Sequence, residues 1–296
     1  MLFGLKDKPE YFFRPWQIYR RLYRSVFWPK KGEICLTLPW GLQLIVNTED
    51  AIGRAIIKTG LYDLVVAEAL WRLCPLGGTV CDVGAHIGYT GSILAKRIGT
   101  KGKVHLFEPN PRLLKLLRNN VELWEGIKSV CEIHPFALSS QNREATLVLP
   151  QGYNENQGLG YLSSESKVTG EKISVETQTL EACPDLNNIT IDLMKVDVEG
   201  HELEVFKGAE KLLREGRIRH ILFEELEVPP TPTTDYLISK GYKIIKIEKQ
   251  FMSPKITEEI NTPRKIDWEP LSLLATKDFD SVKNIFSEWG WKCLRS

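Results

Sequence analysis

Three short motifs in this sequence combine glycine or apolar runs with acidic residues in patterns suited to ligand binding. The first is CDVGAHIGYTG (residues 81–91), between an apolar run and a segment with helical periodicity. Its glycines, Gly84, Gly88 and Gly91, follow a G-x-x-x-G-x-x-G spacing that differs from the dinucleotide pattern G-x-G-x-x-G. Glycine permits a tight turn and lets a ligand approach the backbone and the free N–H groups of the next helix. Asp82 disfavours a pyrophosphate here and favours a cationic or hydroxyl-bearing ligand, although an ordinary strand–helix turn has the same pattern.

The second motif, HLFEPNP (residues 105–111), places Glu108 at the end of the next apolar run, 26 positions after Asp82. In a doubly wound sheet the ends of adjacent strands meet at one crevice, where a carboxylate can accept both hydroxyls of a ribose. The alternative role for Glu108 is to cap the helix that follows. The pairing of the two acids favours a ligand site.

The third motif, IDLMKVDVEGHELEVFKGA (residues 191–209), carries charged side chains at the end of an apolar strand. In an extended segment Lys195, Asp197 and Glu199 point to one face. Glu224 and Glu225 end the next strand, HILFEE, and bring further carboxylates to the same edge. Such a cluster can hold a hard cation, serve as a general base or neutralise a bound sulfonium. The alternative is a surface ladder in which Lys195 merely pairs with Asp197.

Histidine and cysteine add little to these motifs. His86 and His201 lie on the two loops, and either could act as a base; we place His201 above His86, and both below Asp197. The other three histidines lie in or beside predicted strands and fit structural roles. The six cysteines are far apart and form no C-x-x-C pair, so we expect reduced thiols and no cysteine–histidine metal site.

The elements that must position these residues alternate between strand and helix. Apolar runs at 79–83, 103–107, 130–137, 189–196, 220–223, 242–248 and 270–276 predict strands, and the segments 92–98, 111–124, 203–213 and 234–240 predict helices. Near-continuous apolar strands in this alternation predict an α/β fold with a parallel-rich sheet covered by helices on both faces. An insertion at about 141–190, with strands at 145–149 and 173–177 around a polar loop at 152–170, interrupts the series.

The N-terminal part differs from this pattern. Residues 10–28 place five aromatic side chains at spacings of three and four, with four arginines elsewhere, which predicts an amphipathic helix. It could pack on the sheet, pair with a second chain as a homodimer, or make peripheral contact with a membrane. Short strands at 34–38 and 42–46 predict a hairpin that packs as a lid. We therefore expect a helix and strand extension at 1–60 and the main domain at 61–296.

Composition narrows the function classes. The 296 residues carry 39 Lys and Arg against 38 Asp and Glu, a net charge of +1 that gives no overall reason to bind nucleic acid. With 43% hydrophobic and 26% charged residues, the chain has the composition of a globular protein. No stretch approaches the ~20 apolar residues of a membrane span, and MLFGLKDKPE has charges where a secretion signal would be apolar, so we expect a cytoplasmic location.

Together, the motifs DVGAHIGYTG, FEPNP, HPFALSS, MKVDVEGHELEVFKGA and ILFEE resemble those of the FkbM-type S-adenosylmethionine-dependent methyltransferases, from about residue 36 to 276. The resemblance implies the Rossmann-like class I methyltransferase fold, a seven-stranded, mostly parallel sheet of order 3-2-1-4-5-7-6. It also implies an S-adenosyl-L-methionine site made by three segments: Asp82, Gly84, Ala85, His86 and Gly88; Glu108 and Pro109; and Phe136 with Ala137. His86 departs from the asparagine that is commoner at its position in the family.

The resemblance implies O-methylation of a hydroxyl on a sugar, glycolipid or natural-product acceptor. We expect Asp197 to be the base or to orient the acceptor, with Glu199 and Glu224 as alternatives and Lys195 as an orienting or charge-stabilising group. A divalent metal is an alternative aid but is not expected. A nicotinamide-dependent oxidoreductase and a non-catalytic membrane-peripheral module remain alternative hypotheses, although the glycine spacing and Asp82 argue against the oxidoreductase.

Overall fold

A computed structural model describes residues 8–163, 169–186, 188–262 and 271–294. The helices are α1 Pro9–Phe13, α2 Trp16–Val26, α3 Ala51–Thr59, α4 Leu64–Leu73, α5 Tyr89–Ile98, α6 Pro111–Glu122, α7 Glu202–Lys207, α8 Glu210–Arg214, α9 Pro232–Ser239 and α10 Phe279–Ser287. The strands are β1 Glu33–Thr37, β2 Gln43–Asn47, β3 Thr79–Val83, β4 Lys103–Phe107, β5 Cys131–His134, β6 Ala137–Leu138, β7 Arg143–Leu149, β8 Tyr161–Ser163, β9 Glu171–Gln178, β10 Ile191–Val196, β11 Ile218–Glu225, β12 Lys243–Lys249, β13 Pro254–Thr257 and β14 Leu271–Thr276.

The main sheet has eight strands in the order β13-β12-β14-β11-β10-β3-β4-β5. The five strands from β11 to β5 are parallel, β14 is antiparallel to both of its neighbours, and β13 is antiparallel to β12. This large, mostly parallel sheet fits a Rossmann-like fold, but the predicted count of seven strands is wrong. The eighth strand, β13, is a four-residue edge segment that begins at a proline, so it has no apolar run to reveal it.

Both faces of the sheet are buried, which explains its near-continuous apolar strands. Val80 of β3 packs in a core with α4, α5 and α6, whereas its neighbour Cys81 packs in a second core with α7 and α8. Successive side chains of a strand point to opposite faces, so each strand contributes to both cores. The helices over both faces fix the strand ends, and the predicted alternation of strand and helix is confirmed.

The insertion forms a second sheet of four strands in the order β6-β9-β7-β8. The predicted strands at 145–149 and 173–177 are the cores of β7 and β9, which pair antiparallel along seven residues. A small apolar cluster of Leu147, Leu149, Tyr153 and Val175 holds this sheet together. The predicted loop at 152–170 contains the short strand β8, and residues 164–168 of it lie outside the described residues.

The N-terminal hairpin packs firmly on the main fold. Leu44 and Val46 of β2 are fully buried in the core beneath α5 and α6. The Asn120 amide of α6 accepts a hydrogen bond from Ile45 N–H (2.7 Å) and donates one to the Ile45 carbonyl (3.1 Å). Trp40 Nε1 donates to Ser92 Oγ on α5 (3.0 Å). The predicted helix at 10–28 is divided into α1 and α2 at Pro15, and no described helix is long and apolar enough to cross a bilayer.

Candidate functional site

A cavity opens beyond the carboxyl ends of β3, β4, β10 and β11, where a doubly wound sheet places its ligands. The structure brings most of the predicted site residues to its wall. They are Gly84, Ala85, His86, Glu108, Pro109, Ala137, Lys195, Asp197, Glu199, His201 and Glu224.

The loop after β3 is held against its neighbours by backbone contacts. The N–H groups of Gly84 and Ala85 donate to the Phe107 carbonyl at the end of β4 (3.0 and 2.9 Å). Gly84 has a φ of +77°, and a Cβ placed there would lie 2.0 Å from the carbonyl oxygen of Asp197. Glycine is therefore required at position 84 because the loops after β3 and β10 approach each other closely. The sequence motif alone suggested a different reason, namely space for a ligand next to the backbone.

Glu108 is buried at the end of β4, and backbone groups fix the orientation of its carboxylate. Oε2 accepts from His86 N–H (2.9 Å) and Oε1 accepts from Asn110 N–H (2.8 Å). Each oxygen keeps a second lone pair for a further donor. Burial raises the pKa of Glu108 to about 7, although the two N–H donors act in the opposite direction. Capping of α6 is performed instead by Asn110, whose side chain accepts from Arg112 N–H.

Lys195 is the centre of a buried ionic network. It lies beside Asp82 in the register of β10 and β3, with Nζ 3.5 Å from Asp82 Oδ1 and 3.2 Å from Asp197 Oδ2. Nζ also donates to the Gly84 carbonyl (3.1 Å). Burial lowers the pKa of Lys195, but the negative charges of Asp197 and Asp82 outweigh it, and the net pKa is raised. Lys195 therefore stays charged and holds Asp197 at the cavity wall.

The carboxylates around Asp197 have strongly shifted pKa values. Burial, followed by the charges of Asp197 and Asp63, raises the pKa of Glu224 to about 9. Glu199 lies at the exposed rim of the cavity and has a φ of +53°. Partial burial of its carboxylate, followed by the negative charge of Asp197, raises the pKa of Glu199 to about 7. Near neutral pH, Glu224 is therefore protonated and able to donate a hydrogen bond, while Asp197, about one third exposed, reaches solvent in the cavity.

The two loop histidines differ in their surroundings. His86 has a φ of +52°, and its Nε2 is enclosed without a hydrogen-bond partner among the described residues. Burial lowers the pKa of His86 to about 4, so the ring is neutral near pH 7. His201 is the N-cap residue directly before α7, and its Nε2 lies 2.9 Å from Ser139 Oγ. Burial also lowers the pKa of His201, which leaves it neutral at physiological pH.

Three predicted cofactor residues lie outside the cavity wall. Asp82 is fully buried behind it, where Oδ2 accepts from Thr90 Oγ1 (2.7 Å). A Cβ on Gly88, whose φ is +89°, would lie 2.8 Å from a Leu117 methyl, so this glycine serves helix packing. Phe136 packs its ring against Phe107 and His134, whereas Ala137 reaches the cavity. A motif places residues along the chain, but it does not show which of them face a ligand.

The sequence motifs missed one side of the cavity, which the insertion supplies. Residues 156–158 line the cavity. Asp50 ties them to α3, because its Oδ1 accepts from Gln157 N–H (2.8 Å) while its Oδ2 caps the helix at Gly53 N–H (2.9 Å). The contact spans 107 residues of sequence, and only the aspartate before an apolar helical segment hinted at the cap.

One further cluster of titratable residues lies away from the cavity wall. The ligand-type atoms of His105, Glu132 and His134 lie within 4.8 Å of one another on β4 and β5. The ring nitrogens of the two histidines are 3.0 Å apart, so a hydrogen bond between neutral rings already satisfies them. Burial lowers the pKa of both histidines, to about 4 for His105.

Residues 82–257 match the model of the methyltransferase FkbM domain. The chain is 33% identical over 163 residues to the hexuronic acid methyltransferase AglP of Haloferax volcanii, covering 50% of this chain and 63% of that protein. It is 29% identical over 163 residues to the methyltransferase sdnD of Sordaria araneosa, covering 46% and 62% respectively. The chain thus spans just under two thirds of the length of each of these relatives.

A solved FkbM methyltransferase from Methylobacillus flagellatus aligns with a TM-score of 0.43 and 17% identity, over 67% of this chain and 43% of that one. The family match covers more than half of the sequence and includes the first motif from Asp82 onward and the whole of the second and third motifs. The chain belongs to the methyltransferase FkbM domain family.

Proposed function

We propose that this protein is an S-adenosylmethionine-dependent O-methyltransferase that acts on a hydroxyl of a sugar, glycolipid or natural product. The observation that carries the proposal is one cavity with Glu108 on one wall and the Lys195–Asp197 pair on another. Membership of a methyltransferase family supports the reaction class, and a relative named for hexuronic acid supports a sugar acceptor. The same match gives no support to a nicotinamide oxidoreductase.

The residues present fit this cofactor. The free lone pairs of Glu108 suit ribose hydroxyls, and the enclosed Nε2 of His86 offers an unused polar contact. Ala137 and Leu138 give an apolar wall that suits an adenine. Since Asp82 lies behind the wall and contacts Lys195, we assign it a positioning role in place of the cofactor contact expected from the motif.

S-adenosylmethionine would supply an electrophilic methyl group on a cationic sulfur. The carboxylate of Asp197 accepts the proton of an acceptor hydroxyl, because a hydroxyl is a poor nucleophile until that proton is partly removed. Lys195 fixes the Asp197 carboxylate through their 3.2 Å contact. Protonated Glu224 donates a hydrogen bond to the acceptor, and the acidic cluster favours the cationic donor at this end of the sheet.

Glu199 and His201 are the alternative bases. Glu199 lies at the exposed rim, and its pKa of about 7 suits proton transfer near neutrality. His201 is neutral and hydrogen-bonded to Ser139, which leaves its other ring nitrogen for a donor or acceptor role. Asp197 comes first because it lines the cavity and is in direct contact with Lys195.

The test is the Asp197→Asn variant, which keeps the shape of the side chain and removes its charge. Formation of S-adenosylhomocysteine should fall about 10²–10⁴-fold with hexuronic acid, neutral hexose and glycolipid acceptors, while calorimetric affinity for S-adenosylmethionine stays within a few-fold. Glu227→Gln is the matched control, since Glu227 is exposed outside the cavity. Unchanged turnover would move the base to Glu199 or His201, and methyl transfer to nitrogen or carbon would refute O-methylation. Binding of NAD without binding of S-adenosylmethionine would refute the whole proposal.

A further inference from the structure

Helix α2 and the residue that follows it present a row of aromatic side chains to solvent. Trp16, Tyr19, Tyr23 and Phe27 are 73%, 55%, 46% and 60% exposed. Successive rings of the row contact one another, with centroids 4.8, 6.3 and 5.1 Å apart. A contiguous exposed apolar surface of this kind marks a site of interaction with a membrane or another protein. We refer to these four residues as the aromatic row.

The opposite side of α2 faces the protein, which fixes the row outward. Gln17 is buried, and α2 packs against α3. The Arg20 guanidinium folds back toward Gly60 at the end of α3, since a Cβ on that glycine would lie 3.3 Å from Arg20 Nη1. Arg21 hydrogen-bonds to the Tyr11 hydroxyl of α1. Gln17 and Arg20 thus lie on the side of the helix that faces the protein, while the aromatic side chains face outward, the reverse of an ordinary surface helix.

The charged side chains of the segment that carries the row all have one sign. Residues 11–32 contain six Arg and Lys residues and no Asp or Glu, although the whole chain has a net charge of only +1. The six are Arg14, Arg20, Arg21, Arg24, Lys30 and Lys31. Lys31 pairs with Glu49 (2.8 Å), and Arg24 lies over the Tyr23 ring. The segment therefore joins an apolar face to a surplus of positive charge.

We propose that the aromatic row and its basic flanks bind the surface of a bilayer that contains anionic phospholipid. Exposed aromatics with flanking Arg and Lys are the composition of helices that lie in a membrane interface. A second copy of this chain is a poorer occupant, because a two-fold contact through the row would bring two like-charged basic segments together. This inference does not depend on the proposed methyl transfer.

The test measures binding of the full chain to vesicles of phosphatidylcholine alone and of phosphatidylcholine with 30 mol% phosphatidylglycerol. We expect binding to the anionic vesicles that weakens with added salt. Each basic residue near such a surface adds affinity worth about fivefold, so Arg24→Gln with Lys30→Gln should lower the partition coefficient about 25-fold. Trp16→Ala with Tyr23→Ala should remove most of the remaining binding.

Leu76→Ala with Ile238→Ala is the matched control, since both side chains are exposed apolar groups outside α2. It should bind vesicles like the parent, and circular dichroism should show that every variant is folded. Absence of binding to anionic vesicles would overturn the proposal, as would an equal loss in the control pair. A dimer in analytical ultracentrifugation that Trp16→Ala with Tyr23→Ala dissociates, without vesicle binding, would assign the row to a subunit interface and also overturn it.

Discussion

Removal of charges from the buried network around Lys195 should destabilise the protein unequally. Lys195 and Asp82 are 4% and 0% exposed, and the ammonium contacts Asp82, Asp197 and the Gly84 carbonyl at 3.5, 3.2 and 3.1 Å. Lys195→Met removes the single cation that these three acceptors share. Asp82→Asn removes one acceptor and leaves the ammonium with the other two.

The structure indicates which of the two substitutions should lower the free energy of unfolding more. Breaking a buried ion pair costs about 3–5 kcal/mol when a charge is left uncompensated, and Lys195→Met leaves Asp82 in that state. Burial raises the pKa of Asp82 in spite of Lys195, so its charge is incompletely compensated in the parent. Asp82→Asn removes this incompletely compensated charge, so it should lower the free energy of unfolding by only about 1–2 kcal/mol. The double variant should be less destabilised than the sum of the two single variants, with a coupling of about 1–3 kcal/mol.

Urea unfolding at pH 7, followed by circular dichroism, gives the free energy of unfolding for the parent and the three variants. Asp192→Asn is the control, since this carboxylate at the start of β10 is half-buried and pairs with Arg219 at 3.1 Å. We expect it to cost less than Lys195→Met. Equal losses for Lys195→Met and Asp82→Asn, or additive losses in the double variant, would refute the shared-cation interpretation.

Two further predictions concern the loops at the strand ends. Burial raises the pKa of Glu108 to about 7, and the carboxylate form is the one that accepts ribose hydroxyls. Affinity for S-adenosylmethionine, measured by calorimetry, should therefore rise up to tenfold per pH unit below pH 7 and level off above it. Glu108→Gln should weaken the affinity and flatten this pH dependence, and an unchanged slope would assign the dependence to another group. Gly126→Ala, at a φ of +78° in open space, should cost about 1–2 kcal/mol. Gly84→Ala, at nearly the same φ but 2.0 Å from the Asp197 carbonyl, should cost at least about 1 kcal/mol more, and equal melting temperatures would contradict the close approach.

The elements that sequence predicts well here are those buried on both faces. β3 and β4 have the bounds of their predicted apolar runs, because a parallel strand covered by helices admits almost no polar residue. The helices α3, α4 and α10 were not predicted, although each directly follows an aspartate whose side chain caps the helix. These aspartate caps are the local signal that marks where the three helices start.

The residues of the candidate site also divide into those that the sequence could locate and those that it could not. Glu108 and Asp197 could be located from strand ends, because topology brings the ends of adjacent strands together. The direction of Asp82 could not, since Asp82 and Lys195 face each other only once β3 and β10 pair in register. The wall at 156–158 depends on the contact of Gln157 with Asp50, which no local pattern encodes. Long-range pairing, more than local propensity, determines which predicted residues reach the cavity.

The order of strands in the sheet also has a consequence for biosynthesis. β4 follows β3 by 20 residues, whereas Ile191 of β10 follows Val83 by 108 positions. At ribosomal rates of about 5–20 residues per second, β3 emerges about 5–20 s before the strand that covers its other edge. During that interval the nascent chain carries an unpaired apolar edge, the kind that joins other chains into aggregates. We therefore expect the yield of folded protein to depend on translation speed and chaperone supply through this one strand, whatever the stability of the finished fold.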